Sequence, residues 1–147
     1  MKQTPCFKSS HSNVINIAVS SVCTSSRPTH MTNTEGMISS QSADTKGCGS
    51  SNSPWIISAK PGQTINISIV DFSADSDKSN MVTCPAVYGY IRERALGINH
   101  TICGGRHRKG ALYTSKTNTV EIQILSRSIR GEKYFVLNYS GMNLFIV

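Results

Sequence analysis

The chain has 147 residues, enough for one domain with little left for a second. It carries fifteen Lys and Arg against eight Asp and Glu, a net charge of +7, so a basic surface open to anionic partners is expected. A chain of this size buries roughly 68–70% of the surface its unfolded form exposes, so its core needs no metal, and no apolar run reaches the ~20 residues that span a bilayer.

Residues 1–53 are rich in Ser, Thr and Asn and poor in large apolar side chains. The apolar patch Val14–Val19 is broken by Asn16 and makes a poor leader core, so it reads as a strand or a leader remnant. A secretion signal is expected to lie outside this chain. Residues 24–29 and 48–54 read as loops. Cysteines stand at 6, 23, 48, 84 and 103, an odd count that leaves at least one without an internal partner. Two bridges among the last four and a spare Cys6 are expected, but sequence alone does not choose the pairing. No C-x-x-C spacing supports a zinc ribbon or a thioredoxin motif.

From Pro54 onward the pattern is β. Pro54-Trp55-Ile56-Ile57 opens a strand, and Lys60-Pro61-Gly62-Gln63 is a turn. Ile65, Ile67 and Ile69 then share one face by the two-residue period, with Thr64, Asn66 and Ser68 on the other. Val87–Ile91 and Ile102-Cys103-Gly104-Gly105 follow. Val120, Ile122 and Ile124 face away from Glu121 and Gln123, and Phe135, Leu137 and Tyr139 make a third alternating set. No window carries a helical apolar stripe. Short half-buried strands separated by turns predict a sandwich or a barrel. Trp55, Tyr88 and Tyr90 are expected in or near its core.

The order of these elements resembles the CUB domain from about Cys23 to Tyr139. Glu35-Gly36-Met37-Ile38-Ser39-Ser40, Trp55, Lys60-Pro61-Gly62-Gln63, Val70-Asp71-Phe72 and Ile102-Cys103-Gly104 each fall in a slot of that family. The resemblance implies an all-β, two-sheet antiparallel sandwich of jelly-roll type over residues 23–141, with an N-terminal extension 1–22 and a tail 142–147. It implies bridges Cys23–Cys48 and Cys84–Cys103. The first would stabilise the fold by roughly 3–4 kcal/mol in the chain-entropy model. One departure stands out. Ser53 occupies the usual place of the second cysteine, two residues before Trp55, and Cys48 lies five residues earlier. The family's calcium ligands fall at Asp75, Gly89 and Arg127, two of them not carboxylates, so no family-type calcium site and no other cofactor is expected.

The resemblance further implies a non-catalytic, extracellular protein-recognition module within a larger secreted or cell-surface protein. A glycosaminoglycan-binding module and an accessory domain of an extracellular protease are the alternatives. No nucleophile elbow, P-loop or HExxH is present. Arg106-His107-Arg108-Lys109 is the densest basic run. Arg106, Arg108, Lys109 and Arg127 are the candidate partner-binding residues, in loops at one end of the sandwich. Little aromatic interleaving surrounds the run, so nucleic acid is not the expected partner. Cys103 and His107 lack a second ligand pair for zinc. The acids Asp71, Asp75 and Asp77 read as a solvated loop. Sequons begin at Asn66, Asn99 and Asn138, and two of these asparagines lie opposite the apolar faces of their strands, so both are expected to face solvent.

Overall fold

The computed structural model describes residues 27–32, 34–73, 84, 86–125 and 134–143. Nine strands are described: β1 (Thr29–Met31), β2 (Glu35–Ser39), β3 (Trp55–Ser58), β4 (Gln63–Asp71), β5 (Ala86–Glu93), β6 (Ile98–Gly104), β7 (Arg108–Thr114), β8 (Thr119–Ile124) and β9 (Phe135–Asn143). They form a five-stranded sheet in the order β1-β3-β8-β5-β6 and a four-stranded sheet in the order β2-β9-β4-β7. Every pairing is antiparallel except β1 with β3. The all-β, two-sheet antiparallel sandwich is therefore the fold. Strand β9 runs on to Asn143.

The alternating isoleucines form the centre of the core. Ile65, Ile67 and Ile69 of β4 are fully buried and face Ile57, Ile91, Ile102 and Ile122 of the other sheet. Burying each such side chain contributes about 1.5–3 kcal/mol. Tyr88 and Phe135 stack between the sheets, with ring centroids 4.4 Å apart and planes 12° from parallel. Trp55 and Tyr88 lie in the core as expected. Tyr90 does not. The two-residue period turns it to the outer face of the five-stranded sheet, where the Arg92 guanidinium sits 5.7 Å from its ring centre.

One short α-helix and a 3-10 turn at Arg94–Leu96 depart from the all-strand expectation. Helix α1 (Ser40–Lys46) follows β2 directly. It carries no apolar stripe, so hydrophobic periodicity gave no sign of it; its caps define it. The Ser39 hydroxyl accepts from the Ser42 amide, and Gly47 ends the helix in the left-handed region at φ 67°. The following loop passes beneath Trp55. Gly49 has φ 74°, and a Cβ there would lie 2.0 Å from the indole ring, so glycine is required on both counts. Ser53, in the family's cysteine position, is fully buried and donates to the Arg27 carbonyl at 2.6 Å.

Candidate functional site

The connections divide between two ends of the sandwich. At one end, Asp71 closes β4 and is 1% exposed. The expectation of a solvated acid is wrong for this residue. One carboxylate oxygen accepts from the Ser73 amide at 3.0 Å and the Tyr88 hydroxyl at 3.1 Å. The other accepts from the amides of Gly105 at 2.9 Å and Arg106 at 3.2 Å. A buried carboxylate is tolerable only when its oxygens are filled in this way. The Tyr88 hydroxyl also accepts from the Gly105 amide at 2.7 Å and lies 3.0 Å from the Ser73 hydroxyl. Burial pushes this phenol above its usual pKa, against the pull of the Ser73 hydrogen bond. Asp75 and Asp77 lie outside the described residues.

This carboxylate anchors the connection from β6 to β7 and so positions the basic run. Arg106 is half-buried, while His107, Arg108 and Lys109 are exposed. Arg108 pairs with Asp71 in register, and its guanidinium donates to the Cys103 carbonyl. Lys109 pairs with Val70 on the outer face. Arg108 and Lys109 belong to strand β7 rather than to a loop. The structure thus gathers Arg106, Arg108 and Lys109 at one end; Arg127 lies outside the described residues. Cys84 is bonded to Cys103 at the same end, with Cα atoms 5.2 Å apart. Cys48 is also disulfide-bonded, and Cys23 lies outside the described residues.

Sequence reasoning missed two residues here. Phe72 and Tyr134 are 55% and 56% exposed. The Phe72 amide donates to the Tyr134 carbonyl at 2.9 Å, which sets the two residues side by side. Each directly follows or precedes an inward-facing residue, Asp71 or Phe135, so the period-two rule turns both outward. Period-two patterning could have oriented them, but only the pairing of β4 with β9 makes them neighbours.

The calcium positions can be judged at Gly89. A Cβ there would lie 2.0 Å from the Gln123 carbonyl oxygen, so the backbone leaves no room for a side chain. Strand β5 carries a register irregularity against β6 between Val87 and Gly89. Asp75 and Arg127, the other two positions, lie outside the described residues. Among the described residues no group of three His, Cys, Asp or Glu could hold a metal ion, and no helix is long and apolar enough to cross a membrane.

At the far end a second carboxylate has the same duty. Glu93 is 1% exposed and accepts from the Tyr113 hydroxyl at 2.5 Å, the Thr117 hydroxyl at 2.6 Å and the amides of Lys116 and Thr117. Burial pulls its pKa upward, but the bonds from Thr117, Tyr113 and the two amides win and lower it. Tyr113, half-buried against this charge, is pushed up to about 12. A groove of about 680 Å³ runs over the outer face of the five-stranded sheet, past Pro54, Ile56 and Ala95. On its floor Glu121 is held by Arg94 at 2.6 Å and Arg92 at 3.7 Å. That pairing neutralises the one carboxylate that lines the groove among the described residues.

Comparison with known proteins agrees with this architecture. The CUB domain model matches residues 23–139. The full extracellular region of zebrafish Gpr126/Adgrg6 superposes with a TM-score of 0.50 at 16% identity, over 81% of this chain and 15% of that one. The CUB1-EGF-CUB2 domains of rat MASP-1 give 0.49 at 15% identity, over 79% of this chain and 43% of that one. The chain thus spans less than half the length of either structure. No curated protein matches it. CUB domains occur in extracellular or cell-surface proteins and typically mediate protein interactions. With the family match covering most of its length and the sandwich in place, the chain belongs to the CUB domain family.

Proposed function

We propose that this domain is a non-catalytic, extracellular protein-recognition module that grips its partner with the end bearing the β6–β7 connection. One observation carries the reading: Phe72 and Tyr134 expose more than half their surface beside each other, at the end where Arg106, Arg108 and Lys109 gather. Aromatic and arginine side chains supply most of the energy of protein interfaces. The Asp71 carboxylate holds the basic connection in one conformation, which lowers the entropy lost on binding. The resulting surface suits a partner with an acidic patch around an apolar pocket.

A sulfated glycan is the second reading, favoured by the net charge of +7. Such a ligand would use the basic side chains and leave the aromatic pair idle. The test is a screen of secreted and cell-surface ectodomains with the multimerised domain. Any partner found is then titrated against Arg106→Glu/Arg108→Glu and against Phe72→Ser/Tyr134→Ser. Each pair is expected to weaken binding by roughly tenfold or more, about 1.4 kcal/mol, with an unchanged melting temperature. Affinity that neither pair alters overturns the proposal. Heparin retention that falls steeply with salt, and is lost with the arginine pair alone, favours the glycan.

A further inference from the structure

The outer face of the four-stranded sheet holds an arrangement that the sequons alone did not reveal. Two of them, Asn66-Ile67-Ser68 on β4 and Asn138-Tyr139-Ser140 on β9, lie directly across from one another. Asn66 pairs with Ser140, and Ser68 pairs with Asn138. Each asparagine therefore faces the serine of the other motif, and all four side chains point away from the core, because Ile67 and Tyr139 point into it. Same-face diagonal neighbours of this kind stand about 7–8 Å apart. The two strands are the central pair of the sheet.

We propose that Asn66 and Asn138 both carry N-linked glycans, which together cover the middle of this face. The side-chain amides are free to do so. The Asn66 carbonyl oxygen accepts from the Thr114 hydroxyl at 3.2 Å, and its amide nitrogen has no partner among the described residues. The Asn138 side chain likewise has none among them. Transfer joins the amide nitrogen to the anomeric carbon of a lipid-diphosphate-linked oligosaccharide. The bond from that carbon to the diphosphate oxygen breaks, the lipid diphosphate leaves, and the amide gives up one proton.

The surroundings supply a reason for the sugars. Met37, 49% exposed, pairs with Asn138, and Val70 pairs with Val136 in the row beside them; Ala111, opposite Ser68, is exposed as well. Met37, Val70, Val136 and Ala111 make a small apolar strip among the polar side chains of this face, and such a strip can seat a second copy. Two glycans rising from its centre would block such contact. Phe72 and Tyr134 would stay accessible, since Tyr134 lies four residues along the chain from Asn138, about 13 Å in an extended strand. The third sequon differs: Asn99 is exposed on strand β6 of the other sheet, opposite Arg92, with no second motif across from it.

The experiment uses the full chain secreted from a eukaryotic cell line. Peptide N-glycosidase converts each glycosylated asparagine to aspartate, and peptide mapping reads the conversion. Aspartate at both 66 and 138, with an intact mass that places both glycans on one molecule, is the expected result. Unmodified asparagine at either position overturns the proposal. Light scattering after native deglycosylation tests the covering role, with a shift from monomer towards dimer expected; an unshifted distribution overturns that role. Neither readout depends on the partner-binding end.

Discussion

The Asp71 carboxylate and the Gly105 amide meet at 2.9 Å across 34 positions of sequence. This bond couples the end of β4, on one sheet, to the connection that carries the basic run and leads out of the other. The same carboxylate takes three further donors. Asp71→Ala would take the carboxylate acceptor from the amides of Ser73 and Arg106 and leave the Gly105 amide and the Tyr88 hydroxyl with only each other and Ser73, at a cost of about 3 kcal/mol. Urea unfolding measures it, and a loss below about 1 kcal/mol would mean that other contacts hold the connection.

Glu93 makes the corresponding prediction at the far end. Glu93→Gln keeps the shape but turns one acceptor oxygen into a donor that faces other donors. A loss of about 2–4 kcal/mol is expected, against about 1 kcal/mol for Tyr113→Phe, which removes one donor and leaves the carboxylate with three others. Equal small losses from both variants would show that the β7–β8 connection does not rely on the carboxylate.

Stability should fall in two steps on acidification. Burial lowers the His100 pKa, so the unfolded chain takes up a proton near its ordinary 6.5 before the folded chain does. Stability is therefore full above that value and declines as pH falls through the lowered one. Glu93 adds a second decline, beginning at its ordinary 4.5 and continuing through its lowered folded value. Melting temperature followed from pH 8 to pH 3 reads both steps. His100→Phe should erase the upper step alone; a variant that keeps it would assign it to another group.

Gly89→Asp puts a carboxylate back where the family places one and should still fail to create a calcium site. Its Cβ would collide with the Gln123 carbonyl oxygen, so a destabilisation of about 3 kcal/mol or more is expected. A folded variant whose melting temperature rises on adding calcium would show that the strand can yield there.

The Cys84–Cys103 bridge spans 19 positions. Replacing both cysteines by serine should cost about 3 kcal/mol in the chain-entropy model. A loss near zero would mean that residual structure already confines this loop in the unfolded chain, or that the bridge is strained in the folded one.

The alternating isoleucines of β4 and β8 and the turn at Pro61-Gly62 made the strands legible in the sequence, because a two-residue period records which side of a strand is buried. The family's spacing of glycine, tryptophan and cysteine carried the sandwich and the Cys84–Cys103 bridge with it. Helix α1 escaped notice because it is held by caps rather than by an apolar stripe. Tyr90 was misplaced because aromatic identity says nothing about which side of a strand faces the core.

The burial of Asp71, the neighbouring of Phe72 with Tyr134 and the crossing of two sequons were decided only when the strands paired. Each joins residues separated by dozens of positions, and strand register, rather than any local pattern, sets which distant side chains share a face. The periodicity of the sequence fixes inside from outside along each strand; the sheet alone sets who stands beside whom.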